Sequence, residues 1–186
     1  MKGNRLAPIL VLALSGALAS CSSQPAEEKA AAPEQPAMTK LQRGEYLAAI
    51  TGCHDCHTPG GMYGAPDMHR ALSGSELGWQ GPWGVSYAAN ITPDSATGIG
   101  TWTNVEIERA LRSGVKKDGS PILPPMPWPD LARLNPEDMA ALIEYLRNLH
   151  AVTHNVPKPI PPGAKAAGAL VSFPAPPAWD APRKTP

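Results

Sequence analysis

The chain of 186 residues has one Phe, and Phe, Trp and Tyr together make up 5% of it. A domain so short of rings must find core bulk elsewhere, and a large bound cofactor would supply it. Cysteine is scarce as well, with three residues. Apart from Cys53 and Cys56 there is no second close Cys pair, so a structural zinc site lacks its other ligands. The apolar run from Leu6 to Leu18 is 13 residues, short of the roughly 20 that cross a bilayer core. Neither sign of charge dominates, with 16 Lys+Arg against 16 Asp+Glu. There is no basic stripe of the kind that nucleic-acid binding needs. Proline, by contrast, is abundant at 23 residues and crowds both ends, which reads as extended flanks around a smaller folded centre.

Lys2 and Arg5 precede the short apolar run, which gives way to Ala19-Ser20-Cys21. A positive start, a short apolar stretch and small residues make a secretory signal, residues 1–20, rather than a mature element. Leu18-Ala19-Ser20-Cys21 resembles a bacterial lipobox, which implies that Cys21 is acylated and becomes the first mature residue. The protein is then expected on the periplasmic face of a bacterial membrane, held by its lipid anchor. Loss of Lys2 and Arg5 leaves 14 Lys+Arg against 16 Asp+Glu, a mildly acidic mature chain. Residues 21–38, rich in Ala, Pro, Glu and Gln, read as a flexible tether.

Three helices are legible. Thr39 and Gln42 form a capping box, and Gly44, Leu47 and Ile50 share a face with a notch at Gly44. This helix is expected to run into Cys53. Thr103 and Glu106 form a second box, ahead of Ile107, Ala110 and Leu111, with Gly114 as C-terminal cap. Asn135, Pro136, Glu137 and Asp138 open the last helix, whose Met139, Leu142, Ile143, Leu146 and Leu149 follow helical spacing. Residues 58–101 show little regular signal and no obvious strand, which makes sense if they wrap something other than protein. Asn90 and Asp94, beside Pro93, read as turn formers rather than a metal pair. After His150 the chain returns to Pro and Ala, and residues 153–186 read as a loosely held tail.

The decisive motif is Cys53-His54-Asp55-Cys56-His57. Two thiols three positions apart can each add to one vinyl group of a haem, and the His after the second Cys then lies beneath the iron with its Nε2 lone pair available. Export from the cytoplasm is the setting in which that attachment occurs. A thioredoxin-like pair would need a βαβ unit, and none is expected. The sixth ligand decides between an electron carrier and an open, reactive iron. Met126, inside Pro124-Pro125-Met126-Pro127, is the candidate, because prolines on both sides fix the loop and aim the thioether. Met62, Met68 and His69 are rivals, but they follow the attachment motif closely. Trp79, Trp83 and Trp128 are expected to wall the pocket. Lys116 and Lys117 flank the Met loop and read as solvated.

The order helix, C-x-x-C-H, long loop, helix, Pro-flanked Met, helix resembles class I cytochrome c. Asn90-Ile91-Thr92-Pro93-Asp94, Thr97-Gly98-Ile99-Gly100-Thr101-Trp102 and Arg109-Ala110-Leu111-Arg112-Ser113-Gly114 resemble the cytochrome c subunits of bacterial membrane-bound alcohol and gluconate dehydrogenases. Those subunits usually carry three such domains, and this chain has one, residues 39–152. The resemblance implies a small all-α fold with one haem c, bound covalently through Cys53 and Cys56 and ligated by His57 and Met126. It implies that the first and last helices cross with Gly44 near Tyr145. It gives Trp102 a place at a haem propionate, with packing at the haem edge as the alternative. It asks a Pro carbonyl after the motif to accept from His57 Nδ1, where Pro59, Pro66 and Pro82 all qualify. The function expected is single-electron transfer between redox partner proteins, from a dehydrogenase to an oxidase or another cytochrome. A haem enzyme or small-molecule sensor with a displaceable sixth ligand is the alternative, and an assembly lipoprotein with incidental haem a third.

Overall fold

In the computed structural model, which describes residues 37–174, helix α1 spans Lys40–Ile50 and is opened by Thr39 and Gln42 in a reciprocal capping box. It does not run into the attachment motif. Thr51 caps it, Gly52 turns left-handed at φ 70°, and a separate five-residue helix α2 (Cys53–His57) begins there. Ending at Ile50 takes that side chain off the buried face, and it is 59% exposed while Leu47 is 3%. Helix α3 (Asn104–Ser113) carries the second capping box and ends at left-handed Gly114. The short α4 (Trp128–Leu131) follows the Pro-dense loop, and α5 (Pro136–Asn148) starts at Asn135, whose side chain accepts from the Asp138 amide.

Helices α1 and α5 cross at Gly44. A Cβ there would stand 2.1 Å from the Ala141 carbonyl oxygen and 2.6 Å from Tyr145 Cβ, so only glycine allows this approach. Arg43 grips Asp138 with two bonds of 2.7 and 2.9 Å across the crossing, and Lys40 meets Glu144 at 2.9 Å. The Arg43–Asp138 pair is half-buried, whereas Lys40–Glu144 is exposed, and an exposed pair fixes register more than it adds stability. Behind the crossing lies the core. One cluster joins Leu72, Ile99, Ile107, Met139, Ile143 and Leu146. The other joins Leu47, Ala48, Ala141 and Leu142, and Cys53 packs against both.

The all-α expectation is overturned by a three-stranded mixed sheet in the order β2-β1-β3. Strands β1 (Gly78–Gly81) and β2 (Gly84–Tyr87) form an antiparallel hairpin across Pro82-Trp83, and β3 (Leu170–Ser172) lies parallel to β1. Two of these strands have four residues and one has three. Such lengths cannot display an alternating pattern, and β3 pairs with a segment about ninety positions away in the sequence. Residues 153–174 of the stretch read as a loose tail therefore act as a strap. His154 reaches Ser73 and Glu76, and Ile160 exchanges both backbone bonds with Val85 at 2.8 and 2.9 Å. The lone Phe, Phe173, lies 6.1 Å from the Trp79 ring and 5.7 Å from that of Trp83. Gly84, at φ 94°, is required where the strap passes, since a Cβ would meet the Ile160 oxygen at 2.1 Å.

The turn after Asn90 is closed by Asp94, whose Oδ1 accepts from the amides of Ala96 and Thr97 and from the Thr97 hydroxyl. Its Oδ2 accepts from Thr153 Oγ1 at 2.7 Å, a link to the strap. Residues 1–36, which include Cys21, and residues 175–186 lie outside the described residues. No helix among the described residues is long and apolar enough to cross a membrane.

Two outcomes follow from this packing. Gly44→Ala should lower the urea midpoint by an amount worth about 1–3 kcal/mol, the usual cost of overpacking; an unchanged midpoint would mean that the helices do not meet at that notch. The hydroxyls of Thr97 and Thr153, with the two turn amides, pull the Asp94 carboxyl down to about 2. A depressed folded value gives stability that is present above the ordinary carboxylate range and is lost as pH falls toward 2. Urea midpoints of wild type and Asp94→Asn should therefore differ at pH 6 and converge near pH 2 (about the range set by that shift).

Candidate functional site

Left-handed Gly52 sets α2 at an angle to α1 and presents Cys53, Cys56 and His57 from a single turn of helix. Both thiols are half-buried and neither is in a disulfide. Burial pushes both thiols up, so they are protonated at neutral pH. Cys53 Sγ lies 3.4 Å from the Thr51 hydroxyl. His57 is buried, and burial pushes its imidazole down, against the opposing pull of its backbone contact. That contact is Nδ1 to the carbonyl of Ala89 at 2.7 Å. A carbonyl oxygen only accepts, so Nδ1 carries the hydrogen and Nε2 keeps a lone pair. No partner for Nε2 exists among the described residues.

The Ala89 acceptor replaces the three Pro carbonyls considered from the sequence. Pro59 is already committed, since its oxygen accepts from the Asp67 amide at 2.9 Å. The loop that carries the acceptor is held by its neighbours. Ser75 donates to the Ala88 carbonyl and Ile91 to that of Leu72, each at 3.0 Å, while Gly74 donates to the His57 carbonyl at 2.7 Å. Thr58 supports the same region. Its hydroxyl accepts from the Leu72 amide at 3.0 Å and lies 3.0 Å from His54 Nδ1. Leu72 is fully buried and holds φ 59°, a left-handed conformation rare for a side chain of its kind. Such strain costs about 1–3 kcal/mol and persists where surrounding bonds over-determine it. No sequence signal marks Leu72 or Thr58.

Met126 is half-buried, and its carbonyl accepts from Trp128 at 2.9 Å. The Ser86 hydroxyl of β2 donates to the carbonyl of Pro124, so the hairpin anchors the Met loop. A hollow of about 260 Å³ is lined by Thr51, Pro127, Asp130, Leu131 and Leu134. It brings the turn before Cys53 together with the residues that follow Met126. The rivals Met62 and Met68 are 45% and 59% exposed, and His69 is exposed.

Trp102 packs half-buried against the Leu72 cluster. Arg147 of α5 clamps its carbonyl, along with the Ile99 carbonyl at 3.3 Å and Asn104 Oδ1 at 3.0 Å. The Trp102 indole N–H has no acceptor among the described residues. Trp79 and Trp83 gather around Phe173 at the sheet. Trp128 lies over Gly114, where a Cβ would come within 2.5 Å of the indole. Lys117 reaches the Thr101 carbonyl at 2.6 Å. Among the described residues no group of three or more His, Cys, Asp or Glu is placed to hold a metal ion.

Two unpaired thiols beside a buried imidazole with one engaged N–H and one open lone pair fit a covalent haem. Cys53 and Cys56 would hold the macrocycle and His57 Nε2 the iron. A family model of cytochrome c matches residues 41–150. The chain is 38% identical over 112 residues to the cytochrome c subunit of alcohol dehydrogenase (quinone) from Gluconobacter oxydans (strain 621H), covering 60% of this chain and 21% of that one. It is 39% identical over 124 residues to the gluconate 2-dehydrogenase cytochrome c subunit of Pantoea cypripedii, covering 66% and 26%. It is 35% identical over 136 residues to the fructose dehydrogenase cytochrome subunit of Gluconobacter japonicus, covering 73% and 26%. The chain thus spans about a quarter or less of the length of these relatives.

Thr58→Val, which keeps the shape and removes the hydroxyl, should leave the buried Leu72 amide without its acceptor. The expected loss is about 1–3 kcal/mol, read from urea unfolding of the holoprotein. A loss below about 0.5 kcal/mol would show that this bond does not support the site.

Proposed function

This chain belongs to the cytochrome c family, and from that premise we propose that it is a periplasmic single-electron carrier with one haem c, bound through Cys53 and Cys56. The observation that carries the reading is the buried His57, with Nδ1 spent on Ala89 and Nε2 open. The haem supplies a ferric/ferrous couple that stores one electron at a time. Everything else is positioning. His57 would hold the iron through Nε2, and its Nδ1–H bond to Ala89 keeps the ring from turning. Met126 would supply its thioether as the second ligand, on a loop stiffened by Pro124, Pro125 and Pro127 and anchored by Ser86. A pair of ligands held this firmly would suit electron transfer rather than substrate turnover. Trp102, whose indole N–H has no acceptor among the described residues, would offer it to a haem propionate.

The partners on this reading are a dehydrogenase as donor and an oxidase or another cytochrome as acceptor. The names of the relatives support the donor. The lipobox-like residues before Cys21 support attachment to a membrane facing the periplasm.

The test is spectroscopic. The mature protein should retain one haem through acid-acetone extraction, and its oxidised spectrum should show the far-red band of a thioether–iron bond. Met126→Ala should abolish that band, introduce high-spin features and lower the midpoint potential, since a thioether ligand raises it. Retention of the band in the variant would remove Met126 from the site. High-spin features already present in wild type would favour the reading in which the sixth position opens to a small molecule.

A further inference from the structure

We propose that Asn90 is a positioning residue for the His57 imidazole: by fixing the peptide that follows Ala89, it sets the strength of the Ala89 bond to His57 and so the electron affinity of the iron that His57 would hold. The inference rests on the reading of His57 as iron ligand. Ala89 is itself exposed and has no side chain with which to anchor its carbonyl, so other groups must hold it. On one side the rungs Ser75–Ala88 and Ile91–Leu72 hold the flanking peptides at 3.0 Å. Alternate residues pair with that segment, which leaves the Ala89 oxygen for His57.

On the other side the anchor is the Asn90 amide, 3% exposed. Its Nδ2 donates to Thr97 Oγ1 at 2.9 Å and to the Val152 carbonyl at 2.7 Å. Its Oδ1 accepts from the Thr92 amide at 2.9 Å and the Thr92 hydroxyl at 2.7 Å. Both donors and both lone pairs of the amide are used. The four bonds tie three places in the chain to the peptide behind Ala89. One of them, Val152, is where α5 hands over to the strap, so the strap braces the side of the site that carries His57. Aspartate could not replace Asn90 here, because it offers the Val152 carbonyl an acceptor in place of a donor. Glycine at position 74 completes the fit, since a Cβ there would lie 2.8 Å from both the Ala88 oxygen and the Asn90 nitrogen.

An Nδ1–H that donates strongly makes the ring a more basic ligand and favours ferric iron; a weaker bond favours ferrous iron. Loosening Asn90 should therefore raise the midpoint. The holoproteins of wild type, Asn90→Ser and Thr92→Val are equilibrated with a fixed ferricyanide/ferrocyanide ratio, and the ferrous-to-ferric ratio is read from the visible spectrum. Asn90→Ser should raise that ratio up to about tenfold, the factor that about 1.4 kcal/mol, the upper net worth of one hydrogen bond, corresponds to. Thr92→Val, which removes one of the four Asn90 bonds and the Thr92 hydroxyl's own contacts with Val152 but leaves the other three Asn90 bonds, should raise it less. Solvent exchange of the His57 Nδ1 proton, followed by NMR in the ferrous protein, should quicken in the same order.

Asp138→Asn is the control. It weakens the contact between α1 and α5 and should lower stability without moving either readout. An unchanged ratio and exchange rate in Asn90→Ser, or an equal shift in the control, would overturn the inference and leave Asn90 a folding residue only. If Asn90→Ser gives no holoprotein, Thr92→Val decides by the same measurements. Absence of covalent haem from the wild type would instead overturn the proposed function.

Discussion

An imidazole buried as deeply as that of His57 has one N–H to satisfy and one lone pair to leave accessible, and the 2.7 Å bond to Ala89 does both at once. Burial alone would let the ring turn and would penalise its charged form. The bond selects the tautomer in which Nε2 is the base. A ring held this way must have its acceptor held too, and that requirement reaches outward through the molecule. The Ala89 carbonyl depends on the pairing of residues 88–91 with 72–75. That pairing depends on Leu72 keeping a left-handed backbone, and Leu72 depends on the Thr58 hydroxyl, one residue beyond His57. The chain closes on itself within a few bonds. A closed loop of this kind resists displacement at any single member, which is what the role proposed for His57 needs.

The sheet belongs to the same design. It is too short to form a core of its own, yet it connects parts that helices do not reach. Ser86 in β2 holds the Met126 loop at Pro124, and Ala89, three residues on, holds His57. One short segment therefore supports both proposed ligands. The strap secures that segment from outside. Ile160 pairs with Val85 through both backbone groups, and the prolines on either side, Pro159 and Pro161, offer no N–H to extend the pairing. Proline content that reads as a loosely held tail in the sequence thus limits the edge contact to one defined bridge.

Helices were legible because their ends carry local chemistry. Thr39 with Gln42, Thr103 with Glu106, and Asn135 before Pro136 each act within four residues, and each appears in the structure where the sequence puts it. The notch at Gly44 was legible for the same reason, as a small residue on an apolar face. What lies between the helices was not. The hairpin has four-residue strands rich in glycine, and β3 finds its partner across most of the domain, so no window of sequence contains the pattern. The attachment motif was legible because its three functional residues are adjacent in sequence, whereas the acceptor for His57 lies 32 positions away and is a backbone atom. Any residue can supply a carbonyl, so no side chain could have identified Ala89. Arg147 and Thr58 carry no signal in the sequence, because an Arg near a helix end and a Thr in a loop are ordinary until their partners are known.

Those partners explain how long, irregular loops remain ordered around a site that must not move. A loop without a sheet partner leaves carbonyl oxygens that need donors. Here cationic side chains reach in from neighbouring segments and supply them. Arg147 takes the carbonyls of Ile99 and Trp102, Arg112 those of Ala132 and Leu134, and Lys117 that of Thr101. Each clamp falls on a stretch adjoining the candidate site: Trp102 on one side, the segment after Met126 on the other. Charged donors make stronger bonds to carbonyls than neutral ones, and their long stems cover apolar surface on the way. The helices α1 and α5 thus set the frame by close packing, while α3 and α5 also export side chains that hold the loops in place. Rigidity at the iron, on the proposed reading, comes from these loops and their clamps rather than from the helix crossing itself.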